Sequence, residues 1–169
     1  VLLGAGCFAY VLWVPRDRMF ARGIMCLDRD RGAVRWQTLG LLAARGIMHS
    51  DNSAATPTPV SDGRRVFAYF GTAGVMAVGR DGRLLWTYRQ LPFLSTEGVA
   101  GSPILWKDSL PILSESQAGQ WLVALDAATG RLRWRTRRTQ KMHMYAGNCR
   151  TPLLWPVRGR PTVLVWGLE

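Results

Sequence analysis

A tryptophan returns along this chain on a nearly fixed period: Trp36, Trp86 and Trp134 stand 50 and then 48 residues apart. Each closes the same local pattern, in which a short apolar segment runs into an acidic-glycine turn and reaches the indole four residues past the glycine. The copies are Gly23 to Asp28 with Gly32 and Trp36, Gly74 to Val78 with Asp81, Gly82 and Trp86, and Trp121 to Asp126 with Gly130 and Trp134. A period of roughly 20 to 50 residues marks a repeat architecture, in which one unit cannot bury its own apolar faces and must stack on its neighbours.

A second signal recurs at nearly the same spacing, ahead of the second and third copies and again after the third: Thr58-Pro59, Ser102-Pro103 and Thr151-Pro152, with prolines 44 and 49 residues apart. From Pro59 to Tyr88 the chain reads as four short β segments, Val60, Val66 to Phe70, Val75 to Val78 and Leu84 to Tyr88, parted by Gly and Asp turns. Proline has no N–H for a sheet ladder, which assigns these prolines to strand starts or edges. The third segment of each unit is apolar at nearly every position, so both of its faces are covered. The fourth alternates, with Leu132, Trp134 and Thr136 on one face and Arg131, Arg133, Arg135 and Arg137 on the other. No window has helical apolar spacing.

Stacked four-stranded sheets of this length describe a β-propeller, and the expected class is all-β. At this spacing, 169 residues hold about three and a half four-stranded antiparallel blades, whereas closed propellers have about four to eight. The expected division is an incomplete first blade over 1–38, a second over 54–89, a third over 99–136 and the start of a fourth over 147–169. This portion then belongs to a larger ring of seven or eight blades, closed by further blades of the same chain or by a second copy. The phase places another Asp-Gly turn just beyond Glu169 and a tryptophan roughly 15 to 20 residues downstream.

The run Ala124-Leu-Asp126-Ala-Ala-Thr129-Gly130-Arg-Leu-Arg-Trp134 resembles the tryptophan-docking motif of propellers with pyrroloquinoline-quinone-like (PQQ-like) repeats, Ala-x-Asp-x-x-Thr-Gly-x-x-x-Trp. The copy from Cys26 to Trp36 keeps Asp28, Gly32 and Trp36 but has Cys26 for the alanine and Arg31 for the threonine. The copy from Ala77 to Trp86 is one residue shorter, with Gly79 in place of the aspartate and Asp81-Gly82 in the turn. His49 to Gly74, with Asn52, Thr56-Pro57-Thr58-Pro59 and Phe70-Gly71, is also similar to that family. Independently of the resemblance, aspartate accepts N–H bonds in a tight turn, glycine supplies positive φ, and the indole is expected flat against the adjacent sheet, where it can bury on the order of 200 Å².

The net charge is +11, almost all of it arginine, since Lys107 and Lys141 are the only lysines. Arg131, Arg133, Arg135, Arg137, Arg138 and Lys141 form the densest cluster, a candidate polyanion surface for an anionic polymer or a membrane. No aromatic residue interleaves with these arginines along the strand, which argues against a single-stranded nucleic-acid groove.

Val1 to Val14 is apolar but shorter than the roughly 18 to 20 residues of a spanning helix, and Gly4 stands where a lipoprotein cleavage box has an aliphatic residue. Phe8-Ala-Tyr-Val11 precedes Gly23 as Phe67-Ala-Tyr-Phe70 precedes Gly74, which makes this stretch a second strand. Cys7, Cys26 and Cys149 form no C-x-x-C pair, and Cys26 is expected to be a packed small hydrophobe. His49 is expected to bond locally. Met142-His143-Met144 alternates sides in an extended chain, and Asp28-x-Asp30-x-Gly32 lacks the further ligands of a calcium loop. Nucleophile-elbow, P-loop, zinc-helix and dinucleotide motifs are absent, so no catalytic residue and no metal ligand is assigned.

The resemblance implies two function classes. The first is a non-enzymatic propeller in the periplasm or cell envelope that binds other proteins, as outer-membrane-assembly members of the family do, with no cofactor. The second is part of a quinoprotein dehydrogenase oxidising alcohols or sugars with PQQ and calcium. Adjacent cysteines, present in alcohol-oxidising members, are missing here, which favours the first.

Overall fold

Alternating sequence patterns become twelve strands in the computed structural model, which describes residues 7–16 (by backbone alone), 19–44, 49–91, 97–116, 119–139 and 150–166. The first sheet has order β1-β2-β3, formed by Cys7–Arg16, Met19–Asp28 and Val34–Ala43. The second is four-stranded, β4 (Val60–Ser61), β5 (Arg65–Tyr69), β6 (Val75–Gly79) and β7 (Leu84–Tyr88) in sequential order. The third contains β8 (Ser109–Ser116), β9 (Gly119–Asp126) and β10 (Leu132–Arg138), and a fourth begins with the hairpin of β11 (Leu153–Val157) and β12 (Arg160–Leu164). Every pairing is antiparallel, and the described helical content is one 3₁₀ turn at Gly71–Ala73. The chain is an all-β, partial β-propeller.

Repeat phase carries through to register. Phe8 pairs with Leu27 and Phe67 pairs with Ala77, two partners at the same distance before their respective tryptophans. The apolar stretch at the start of the chain therefore enters β1 from Cys7 onward. Strand β3 runs past the expected boundary at residue 38 to Ala43, opposite Phe20, and the Arg22 guanidinium helps hold this extension by donating to the Ala43 and Ala44 carbonyls.

Two cores lie between consecutive sheets, and alternation along β5 and β6 feeds both. Val66, Ala68, Met76 and Val78 pack with Ile24, Cys26 and Leu41 of the first sheet. Phe67, Tyr69, Val75 and Ala77 pack with Leu110, Ile112, Val123 and Leu125 of the third. A strand with both faces buried cannot alternate polar and apolar residues, which is why β6 reads as a continuous apolar run.

The indoles join these sheets at their turns. Trp36 Nε1 donates to the Arg80 carbonyl at 3.0 Å, and Trp86 Nε1 donates to the Ala127 carbonyl at 3.1 Å. Each ring thus rests on the β-turn of the next sheet, rather than on the sheet face expected from sequence. The reason is at Gly82 and Gly130: both have positive φ (86° and 72°), and a Cβ there would lie 2.7 Å from the Trp36 ring and 2.6 Å from the Trp86 ring. Glycine makes the turn possible and vacates the space the indole fills. Thr38 adds a bond from Oγ1 to the Gly82 carbonyl.

Trp134 differs from its two counterparts. It is 40% exposed against 9% for Trp86, and among the described residues no carbonyl accepts from its ring nitrogen. A cavity of about 460 Å³ lies beside it, lined by Pro111, Leu122 and Thr136 and, from the β11–β12 hairpin, Leu154, Pro161 and Val163. Trp86→Ala is expected to cost about 3 to 5 kcal/mol in urea denaturation, as burial of an aromatic side chain with a cavity left behind implies. In the 169-residue chain Trp134→Ala is expected to cost clearly less; equal losses would remove the distinction between a docked and an open indole. Gly130→Ala is expected to destabilise as Trp86→Ala does, because the new methyl group meets the ring.

Candidate functional site

Asp28 and Asp126 organise the turns on which the junctions depend. Asp126 Oδ1 accepts the N–H groups of Ala128 (3.0 Å) and Thr129 (2.8 Å) and the Thr129 hydroxyl (2.9 Å). Asp28 Oδ1 accepts from the N–H of Asp30 (3.1 Å) and Arg31 (3.0 Å). The second oxygen of each is held by the arginine before the tryptophan, a role the sequence did not assign to either residue: Arg133 grips Asp126 and Arg35 grips Asp28 through both Nε and a terminal nitrogen. A signal was available. The two copies with aspartate have arginine at this position, whereas the copy with Gly79 has Leu85. In that copy the Asp81 carboxylate folds back, its Oδ1 2.6 Å from where a Gly79 Cβ would stand, and accepts from the Arg83 N–H.

These bonds hold both carboxyls below the ordinary carboxylate range. For Asp126 the chief cause is the Arg133 guanidinium, followed by the N–H and hydroxyl of Thr129; for Asp28 it is Arg35, followed by the N–H of Arg31. Asp62 in the β4–β5 turn is also lowered: burial pushes it up, but the N–H groups of Arg65 and Arg64 and the Arg65 side chain outweigh that.

A second ladder runs through the Thr/Ser-Pro signals. The Ser102 hydroxyl accepts the Thr58 N–H at 2.8 Å, and the Thr151 hydroxyl accepts the Ser102 N–H at 3.0 Å. The Ser102 and Thr151 hydroxyls therefore each tie their unit to the preceding one. Asn52 does similar work between loops, donating from Nδ2 to the Glu97 carbonyl, while exposed His49 bonds locally through Nδ1 to the Asp51 N–H.

Among the described residues, buried charge is found at two places. Glu115 on β8 is fully buried and pairs with Arg138 of β10 and Arg150 ahead of β11, the latter at 3.0 Å, so one carboxylate fastens the chain leading into the fourth sheet. Burial, then the neighbouring Arg150 charge, pushes Arg138 down from the ordinary guanidinium value. Arg22 is buried on β2 and donates to the carbonyls of Phe20, Ala43 and Ala44, leaving Nε without a partner. Its value is lowered by burial.

The candidate polyanion cluster separates into parts. A register shift between Leu132 and Trp134 turns Arg133 to Asp126, so it is not the freely solvated side chain expected from alternation, and Arg138 of the same cluster goes to Glu115. Arg131, Arg135 and Arg137 remain exposed, and Lys141 lies outside the described residues. An aromatic residue does enter the cluster, from the neighbouring strand: Arg135 and Arg137 lie over Trp121 of β9, at 4.6 and 5.8 Å from the ring centroid. Cys26 is buried but disulfide-bonded, a correction to its reading as a plain hydrophobe. Met142, His143 and Met144 also lie outside them. Among the described residues no three His, Cys, Asp or Glu side chains gather where they could hold a metal ion. No described helix is long and apolar enough to cross a membrane.

The sequence family described as outer membrane protein assembly factor BamB matches residues 21–154. No curated protein matches the chain significantly. Among solved structures, a europium-containing methanol dehydrogenase is 14% identical with a TM-score of 0.53, covering 79% of this chain and 26% of its own. The quinohemoprotein alcohol dehydrogenase ADHIIG from Pseudomonas putida HK5 is 15% identical with a TM-score of 0.51, covering 79% and 22%. BamB from Moraxella catarrhalis is 18% identical with a TM-score of 0.48, covering 75% and 35%. The chain thus spans about a quarter of the length of the two dehydrogenases, a likeness of fold.

Glu115→Gln leaves two largely buried guanidinium groups short of their counter-charge and is expected to lower stability by about 3 to 5 kcal/mol, read from urea midpoints. The turn carboxylates carry a pH dependence of definite sign. Their folded values lie below the unfolded value of about 3.9, so the stabilisation is complete above that pH and is lost as pH falls through the depressed values. Asp126→Asn is expected to flatten the acid limb of the stability profile; an unchanged limb would show that the turn does not contribute.

Proposed function

Since the chain belongs to the family of the outer membrane protein assembly factor BamB, we propose that it is a non-enzymatic, protein-binding propeller module of the cell envelope. The observation that carries this reading is the fate of the repeat's conspicuous residues. Asp28, Asp126, Trp36 and Trp86 are all engaged in turns and junctions, while aliphatic side chains on the outer strands stay open: Val34, Leu39 and Leu42 on β3 and Leu84 on β7. The repeat chemistry builds a scaffold, and the surface it presents is apolar and positively charged. We assign the sheets as successive blades, with Asp28, Gly32, Trp36, Asp81, Gly82, Trp86, Ala124, Asp126, Thr129, Gly130 and Trp134 as the structural motif. An extracytoplasmic location agrees with the disulfide at Cys26, because such bonds persist in oxidising compartments.

Photo-crosslinkers placed at Leu39 and Leu84 in envelope preparations are expected to trap neighbouring proteins, and a buried control at Val78 is not. Indistinguishable yields from the three positions would defeat the docking role. Incubation with PQQ and calcium followed by gel filtration is expected to leave no quinone absorbance with the protein. Retained absorbance together with alcohol-dependent dye reduction would assign the chain to a quinoprotein dehydrogenase instead. Alkylation with and without prior reduction is expected to reveal two additional thiols after reduction; three thiols free at the outset would move the protein to a reducing compartment.

A further inference from the structure

Arg135 and Arg137 project from β10 on the face opposite Trp134, and Trp121 of β9 stands directly across the strand pair from Arg137. Both guanidinium groups lie near one indole, their carbons 4.6 and 5.8 Å from its centroid. Among the described residues neither has a carboxylate partner, because Asp126 is taken by Arg133 and Glu115 by Arg138 and Arg150. Both side chains are exposed. Attraction of a guanidinium to a ring face takes up none of its N–H donors in conventional hydrogen bonds, so the indole holds these groups without consuming their hydrogen-bonding capacity. Two like charges beside one ring repel each other, and an oxyanion between them relieves that repulsion while accepting from both.

We propose that β10 docks on an anionic lipid surface, with a lipid phosphate held between Arg135 and Arg137 beside Trp121. Three observations favour a bilayer over other polyanions. First, β10 itself begins with an exposed aliphatic residue, Leu132, which suits the headgroup boundary. Second, the Trp121 ring already carries arginine, so it has little face to offer a stacking base. Third, the chain's net charge of +11 draws it toward an anionic leaflet over longer range. This contact is separate from protein binding through β3 and β7, and either can fail without the other.

The test is co-sedimentation of the 169-residue chain with phosphatidylcholine vesicles, with and without phosphatidylglycerol, across a salt series. The chain is expected to bind only the anionic vesicles and to be released by salt. Arg135→Gln with Arg137→Gln is expected to weaken binding roughly 30-fold, from about a factor of five for each arginine at a charged surface. Arg64→Gln with Arg160→Gln removes the same charge elsewhere and is expected to bind nearly as the parent does. Arg137→Gln alone, with a loss of about fivefold, serves if the double variant fails to fold. Equal losses in the two double variants would reduce the effect to net charge and overturn the proposal. Failure of the parent chain to bind anionic vesicles would overturn it too, including where heparin or single-stranded RNA binds.

Discussion

An indole seated on a glycine turn of the next sheet is the contact from which the rest of this structure follows. A sheet with two apolar faces must be covered on both, and β5 and β6 send alternate side chains into two different cores. Hydrophobic burial alone is non-directional and would leave neighbouring sheets free to slide. The Trp36 and Trp86 bonds to Arg80 and Ala127 carbonyls remove that freedom, because an indole N–H reaches its acceptor from only one position. The hydroxyl ladder from Thr58 through Ser102 to Thr151 adds a second tether beside Trp86 between the second and third units and ties the third to the start of the fourth. Two separated tethers define a relative orientation where one would define only a pivot.

This division of labour explains why so much of the recognisable chemistry is structural. Asp126 and Asp28 are spent on turn N–H groups and on the arginine preceding each tryptophan, so the charges nearest the junctions are internally satisfied. Glu115, buried between Arg138 and Arg150, extends the same logic to the start of the fourth sheet. A buried carboxylate with two partners is a weak source of net stability but a strong discriminator of arrangement, since any other packing strands a charge. Left outside these junctions on the outer strands are exposed aliphatic residues and the arginines no carboxylate has claimed.

The strands and the all-β class were legible because period-two alternation and Gly/Asp turns are local signals. The Trp period made the stacking legible as well. Other features were hidden for a common reason. Along β10 alone nothing distinguishes Arg133, bound to Asp126, from Arg135, over Trp121; only comparison with the Arg35 copy separates them, and a register shift at the head of β10 sets their different fates. Trp121 could not be placed among the arginines by reading along one strand, because it arrives from the adjacent one. The Ser102 and Thr151 hydroxyls looked like strand-edge residues, since their partners are 44 and 49 residues away. Glu115 was silent in sequence for the same reason.

By itself, the sequence determined the repeating unit, its strand order and the family to which the chain belongs, because those depend on side-chain types at fixed short spacings. It also determined which glycines the turns require. Tertiary structure alone decided where each indole sits, that Trp86 is enclosed while Trp134 stays open, and which arginines are neutralised. Those outcomes depend on how closely the backbone of one sheet approaches the side chains of another, and that distance is set only when the sheets pack.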